Sequence, residues 1–315
     1  MKILVIGEIN PDLILQGYQS FPELGKEVLV DDTHLTLGSS SLICAVGLAR
    51  LGNEVSFLGM VGRDSWGEFC VRAMTEENID VSRVIRRTDV KTGLTVSVTG
   101  PSDRALVTYL GAMSVLTAGD VPGDAFAGFD HLHMACYFMQ EGLRPGFAPL
   151  FRRASEAGLT VSFDTGFDPS EEWGKDVLEP LREADVFLPN EVEIRGISGR
   201  EEIVDGLRAL AGERTLVVAK LGGQGSMTLV DGAPLAVPAL PVEPVDTTGA
   251  GDSFNAGFLH RWLRNKEDIK GAMRFGSACG ALSTLALGGT TTQPTEQRAE
   301  EFLREHSARG DARQQ

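Results

Sequence analysis

The stretch Val245-Asp246-Thr247-Thr248-Gly249-Ala250-Gly251-Asp252-Ser253-Phe254-Asn255-Ala256-Gly257-Phe258 gathers residue types that handle negative charge. Gly249, Ala250 and Gly251 stand where an apolar-periodic helix begins, so the free amides of its first turn face outward with no side chain in the way. Those amides make an anion site, and Asp252 in the first turn sets a carboxylate beside it. An acid there also offsets a helix dipole, so Gly-x-Gly-Asp alone says little. At the other end of the chain, Gly7-Glu8-Ile9-Asn10-Pro11-Asp12 follows the apolar run Lys2 to Ile6. A carboxylate past the C-terminal end of a strand sits where open α/β sheets hold ligands, although Asn and Asp also serve turns.

These residues need a frame, and the spacing of apolar residues predicts one. Lys2 to Ile6, Val55 to Met60, Thr160 to Phe163, Val186 to Leu188 and Thr215 to Ala219 read as short buried strands. Ser39 to Leu51, Trp66 to Glu77, Arg144 to Ala157 and Glu201 to Ala211 read as helices between them. That alternation predicts an α/β sandwich around a mostly parallel sheet. Leu13 to Leu37 and Thr92 to Leu110 break the rhythm with period-two patterns, the second turning at Pro101-Ser102-Asp103. They predict a small accessory sheet built from two distant insertions. Beyond Pro238 come a loop, two helices (Gly251 to Arg264 and Asp268 to Leu287) and a polar end. The expected division is a main domain of residues 1–12, 38–90 and 111–310, a lid of 13–37 and 91–110, and a disordered tail at 311–315.

Composition narrows the partners. With 29 Lys and Arg against 44 Asp and Glu, the 315-residue chain carries a formal charge of −15, which argues against nucleic acid as a main partner. No apolar run is long enough for a membrane span and the start is too short for a secretory signal, so a cytoplasmic location is expected. The four cysteines form no CxxC pair and are expected as buried free thiols.

Taken over some thirteen residues, the 245–258 stretch resembles the DTxGAGD signature of the ribokinase or PfkB carbohydrate kinases. The resemblance implies a ribokinase-like three-layer α/β/α sandwich with a β lid. It makes Asp252 the general base for a sugar hydroxyl and Gly249, Ala250 and Gly251 an anion hole for the γ-phosphate of ATP. Other segments agree in order. Leu188-Pro189-Asn190-Glu191-Val192-Glu193 resembles the family's NxxE motif, with Asn190 toward the nucleotide and Glu193 toward Mg2+ through water. Val217 to Ser226, a strand running into a Gly-rich turn, implies ATP contacts at Lys220, Gly222, Gly223 and Gly225. Thr248 is expected beside the nucleotide, and Asp246 with Thr248 as oxygen donors to a monovalent cation such as K+. Asn10 and Asp12 match the sugar-binding G-x-x-N-x-D segment. Gly62 to Gly67 matches a structural GxDxxG turn, where Asp64 or Ser65 caps the next helix. No GxxxxGK[ST] is present, which disfavours a P-loop enzyme.

Two departures bear on the substrate. Where the family has GGxxxN this chain has Gly38-Ser39-Ser40-Ser41-Leu42-Ile43, so Ser39 replaces a Gly and Ile43 an Asn. Gly38, Ser39, Ser41 and Ile43 are accordingly expected at the sugar, with the serine hydroxyls replacing the amide. Where some sugar-acid kinases carry DxNxR, this chain has Asp164-Thr165-Gly166-Phe167-Asp168, which disfavours a substrate carboxylate. Arg104, Lys26 and Lys91 on the lid are candidate partners for a phosphorylated sugar, and Tyr109, Met113, His133 and Tyr137 are candidate pocket residues. The expected activity is transfer of the γ-phosphate of ATP to a hydroxyl, primary by preference, of a neutral sugar. A nucleoside kinase and a noncatalytic sugar sensor are the alternatives. The lid suggests a homodimer.

Overall fold

The structure is a computed structural model that describes residues 1–18, 20, 22–99 and 104–312. Its main sheet is built from β1 (Lys2–Ile6), β4 (Glu54–Leu58), β9 (His131–Met134), β10 (Thr160–Phe163), β11 (Val186–Phe187), β12 (Leu216–Lys220), β13 (Ser226–Val230) and β14 (Ala233–Val237). The spatial order is β14-β13-β12-β11-β10-β9-β1-β4. Every pairing from β12 to β4 is parallel, and β13 and β14 add an antiparallel edge.

Alternate residues of each strand feed opposite faces, as the two-residue period of a strand requires. Ile3 and Val5 of β1 join one buried cluster, and Leu4 and Ile6 join the other. The first cluster is covered by α1 (Ser40–Arg50), α2 (Ser65–Glu76), α7 (Ala250–Trp262), α8 (Ile269–Ser283) and α9 (Glu296–Ala312). The second lies under α3 (Phe147–Glu156), α4 (Leu178–Glu183), α5 (Glu191–Ser198) and α6 (Ile203–Leu210). The three-layer α/β/α sandwich is therefore as expected. The crossover from β1 runs through α1 on one face and that from β9 through α3 on the other. The β1/β9 boundary is thus the switch point where ligands bind in such sheets.

The accessory sheet is also present, with order β3-β2-β7-β8 from β2 (Pro11–Gln16), β3 (Asp32–Leu37), β7 (Leu94–Thr99) and β8 (Arg104–Tyr109). It starts at Pro11, so Asp12 belongs to the lid's root rather than to the main domain. A two-stranded ribbon, β5 (Met60–Gly62) with β6 (Ile85–Arg87), completes the strands among the described residues. The expected turn at Pro101-Ser102-Asp103 lies outside the described residues, as does the end of the expected tail; α9 itself continues to Ala312. The Arg144 to Ala157 segment opens with a 3-10 turn over Arg144–Gly146 before α3, because Pro145 cannot donate into a helical ladder. All four cysteines are free and buried.

Candidate active site

Gly249 caps α7 with a left-handed backbone, φ 68°. A Cβ at that position would lie 2.9 Å from both Gly289 Cα and Ile43 Cγ2, so only glycine fits the turn that presents the first amides of α7. The loop before it is locked by Asp246. Its Oδ1 accepts from Thr248 N at 2.9 Å and Thr248 Oγ1 at 2.6 Å, and its Oδ2 accepts from Gly288 N at 2.8 Å. Ala250, Gly251 and Asp252 are partly exposed while the next residues of α7 are buried, so the helix is accessible at its N-terminus. The Asp252 carboxyl titrates well above its ordinary value, first through loss of solvation and then through the negative charge of Asp164; Lys220 pulls the other way, and Glu8 and Glu193 add to the rise.

Lys220, at the end of β12, reaches into this acidic group. Its Nζ donates to Asp164 Oδ2 at 2.5 Å and to Asn255 Oδ1 at 3.2 Å, and Asn255 Nδ2 donates to the same Asp164 oxygen at 2.5 Å. Lys220 passes beside Gly251, where a Cβ would make ordinary van der Waals contact with it at 3.5 Å from the ammonium nitrogen. Burial works against the charge on Lys220, but Asp164, Glu193 and Asp252 hold its pKa above the usual value. Asp164, despite its burial, stays below the usual carboxylate range because Lys220 and the bonds from Gly166 and Asn255 favour the ionised form. Asn190 and Glu193 form a capping box on α5. Asn190 Oδ1 accepts from Val192 N and Glu193 N, while Glu193 Oε2 accepts from Asn190 N at 2.8 Å and Oε1 from Asn190 Nδ2 at 2.6 Å. Burial, reinforced by Asp164, raises the Glu193 carboxyl to about 8.

On the sheet's switch point, Asn10 ties the lid to α1. Asn10 Nδ2 donates to Thr95 Oγ1 on β7 at 3.2 Å and to Asp12 Oδ1 at 3.4 Å, and Asn10 N donates to Ser39 Oγ at 3.1 Å. Ser39 Oγ in turn donates to Asn10 Oδ1. This clamp holds Ser39 at φ 66°, ψ 134°, a conformation suited to glycine that costs a serine about 1–3 kcal/mol. Gly38 lets Asp12 approach, since a Cβ would fall 2.0 Å from Asp12 Oδ1. Ser41 is buried and donates from N and Oγ to Glu8 at 3.0 and 2.6 Å. Burial lifts the Glu8 carboxyl to about 7, with the Ser41 and Cys136 hydrogen bonds opposing. Ile43 is buried too, and its methyl groups pack on Gly249 and Gly289. The apolar residue in the altered signature thus packs under the Gly249 turn.

The chain matches the pfkB family carbohydrate kinase model over residues 1–296. It belongs to that family. A fructokinase of Klebsiella pneumoniae is 31% identical over 93% of this chain and 96% of its own. An ATP-dependent ribose-1-phosphate kinase of Halopiger xanaduensis is 29% identical over 97% and 99%. A Vibrio cholerae O395 fructokinase double mutant, solved with fructose, ADP and potassium ion, superposes with a TM-score of 0.79 at 26% identity, covering 96% and 98% of the two chains. This pfkB-family chain is an ATP-dependent sugar kinase, a phosphotransferase with an alcohol acceptor.

The remaining candidate residues of this kinase fall into separate places. Gly222 to Gln224 form a 3-10 turn after β12, with open space at Gly222 and Gly223; Gly225, φ 101°, has no room for a Cβ against Val237 O. Lys26 pairs with Glu23 at the surface, Lys91 and Tyr109 are exposed, and the side chain of Arg104 lies outside what is described. Met113 is buried. His133 is buried in the sheet with Nδ1 on Ser162 Oγ and is pushed down to about 4 by burial, so it stays neutral. Tyr137 donates to Asp176 at 2.8 Å. Asp168 organises its own loop, accepting from Ser170 N and Oγ and from Trp173 N. Sequence reasoning did not single out Glu8, Asp164 or Asn255 for this centre. Asn255 lies three residues after Asp252 on the same helix face, a signal in plain view, whereas Asp164 meets Lys220 only through the order of β10 to β12.

Magnesium and ATP fit the residues present. Asp164, Glu8 and Glu193 all raise the Asp252 carboxyl, and Lys220 is the counter-charge to Asp164, Glu193 and Asp252, a crowding of acids that a divalent cation offsets. No group of three or more His, Cys, Asp or Glu forms a ready metal cage among the described residues. A cation arriving on nucleotide phosphates and keeping its waters suits that arrangement.

Proposed function

We propose that this kinase transfers the γ-phosphate of Mg-ATP to a primary hydroxyl of a neutral sugar or sugar-like compound. Asp252 takes the hydroxyl proton, and the amides of Gly249, Ala250 and Gly251 hold the three equatorial oxygens as charge builds on them. The observation that carries this assignment is the placement of a desolvated carboxyl in the first turn of α7, next to the left-handed Gly249 cap at the amino end of that helix. Desolvation makes that carboxylate a stronger proton acceptor than a solvated Asp. Asp12 and Asn10 orient the sugar from the lid root, and Gly38, Ser39 and Ser41 shape its wall. Asn190, Lys220, Gly222, Gly223, Gly225 and Thr248 face the nucleotide side. Bound magnesium would neutralise developing phosphate charge, with Glu193 and Asn190 reaching it through water. Both Glu193 oxygens already accept bonds from Asn190, which favours an outer-sphere contact.

A neutral substrate is favoured because Lys220 is committed to Asp164 and Asp168 stands where a cation would serve a carboxylate. Potassium at the Asp246–Thr248 loop would stiffen the same turn. The lid's exposed Leu35, Leu106, Val107 and Tyr109 support pairing of two copies through that sheet, in a cytoplasmic enzyme. The test is turnover with ATP and magnesium over ribose, fructose, ribose 1-phosphate, keto-sugar acids and nucleosides. The proposal expects a neutral sugar to give the highest kcat/KM; a nucleoside or sugar acid in first place would overturn it.

A further inference from the structure

Apart from the residues assigned to catalysis, α2 and the β5–β6 ribbon border an open surface depression of about 780 Å³ lined by Arg63, Ser65, Phe69, Arg72 and Arg86 together with the acids Asp64 and Glu68. Its size is that of a small-molecule site. Three guanidinium groups on one concave face are unexpected in a chain of net charge −15. Ser65, Glu68, Phe69 and Arg72 follow the i, i+3, i+4, i+7 spacing of a single helix face. Arg63 follows β5, and Arg86 stands on β6 opposite Val61.

The two acids are already committed. Asp64 Oδ1 caps α2 through Gly67 N at 2.9 Å, and Oδ2 accepts from Thr92 N at 2.8 Å. Glu68 pairs with Arg86 at 3.1 Å. Arg63 and Arg72 are exposed, and neither guanidinium has a partner among the described residues. Two unpaired guanidinium forks around one depression match a doubly charged tetrahedral anion, because each fork can give two parallel hydrogen bonds to phosphate oxygens. Phe69, partly buried in the wall, offers an apolar contact to the body that carries the anion.

We propose that this depression binds a small phosphomonoester or free phosphate dianion through Arg63 and Arg72, as an effector site separate from the catalytic cleft. Its lining is tied to the root of the lid through Asp64. Asp64 holds Thr92 N, and Thr92 Oγ1 accepts from Gly62 N at 2.9 Å, two residues before β7 leaves for the lid sheet. Anion binding at the depression therefore acts on the hinge that sets lid closure, and its readout is the KM of the sugar.

The test is calorimetric titration of the full chain with inorganic phosphate and, separately, ribose 5-phosphate, at constant ionic strength. The Arg63→Ala/Arg72→Ala variant is compared with wild type, and thermal melting confirms that both are folded. The expected result is binding weakened at least tenfold in the variant, with kcat and the KM for ATP within twofold of wild type. The ligand should also shift the sugar KM at least twofold in wild type only. Tighter binding of ribose 5-phosphate identifies the ester as the ligand, and equal binding identifies the phosphate group alone. Equal affinity of wild type and variant would place the anion at the α7 amides and overturn the proposal, as would a sugar KM that ignores the ligand.

Discussion

Lys220 is the position whose perturbation should be felt in both stability and chemistry. Its side chain is 11% exposed and that of Asp164 4%, with 2.5 Å between the charged atoms. Lys220→Met removes the ammonium and leaves Asp164 buried with only the amides of Gly166 and Asn255. Breaking one side of a buried pair costs about 3–5 kcal/mol. Asp164→Asn should cost a similar amount by stranding the lysine. The double variant removes both charges, so its cost should fall below the sum of the singles by about 2 kcal/mol or more. Chemistry follows the same logic. Lys220 holds the Asp252 carboxyl down against its acidic neighbours, so its loss raises that carboxyl further. The acid limb of kcat, where Asp252 becomes protonated as pH falls, should then move to higher pH. Urea unfolding of the four proteins and a pH–kcat profile of Lys220→Met provide the assays. A coupling below about 0.5 kcal/mol together with an unmoved acid limb would refute the reasoning.

Two further outcomes follow from the same centre. Gly249→Ala should destabilise by about 1–3 kcal/mol, since it places a Cβ at positive φ against Ile43 and Gly289. It should also lower kcat at least tenfold, read by chemical unfolding and steady-state turnover. Glu8 carries a folded-state pKa of about 7 against an ordinary 4.5, so its favourable contribution is full at low pH and is lost as pH rises through 7. Glu8→Gln lacks that loss and should gain about 2 kcal/mol on wild type between pH 5.5 and 8, measured by urea unfolding at both values; a constant difference would contradict it.

The sequence carried the frame well where residues were uniformly apolar or strongly patterned. Lys2 to Ile6 and Thr160 to Phe163 are strands with the expected bounds, and the lid emerged from its period-two insertions. β9 was not anticipated because His131 and His133 make a buried strand look polar. Only the fold reveals Thr160 and Ser162 on the next strand, which bond both ring nitrogens of His131 and Nδ1 of His133. The Gly249 turn at the start of α7 was legible because it is local, set by consecutive small residues before a helix. Lys220 was expected at the nucleotide, yet its polar partners sit 56 and 35 residues away, across strand order that no local pattern encodes. Ile43 was expected to face the sugar, and it is tertiary packing that sets it under Gly249.

The central claim is that Asp252 accepts the proton of the sugar hydroxyl. Asp252→Asn keeps the shape of the site while removing the base. The account predicts a kcat about 10²-fold or more below wild type, with ATP affinity, measured by titration of the same sample, nearly unchanged. A variant that turns over at the wild-type rate would contradict it.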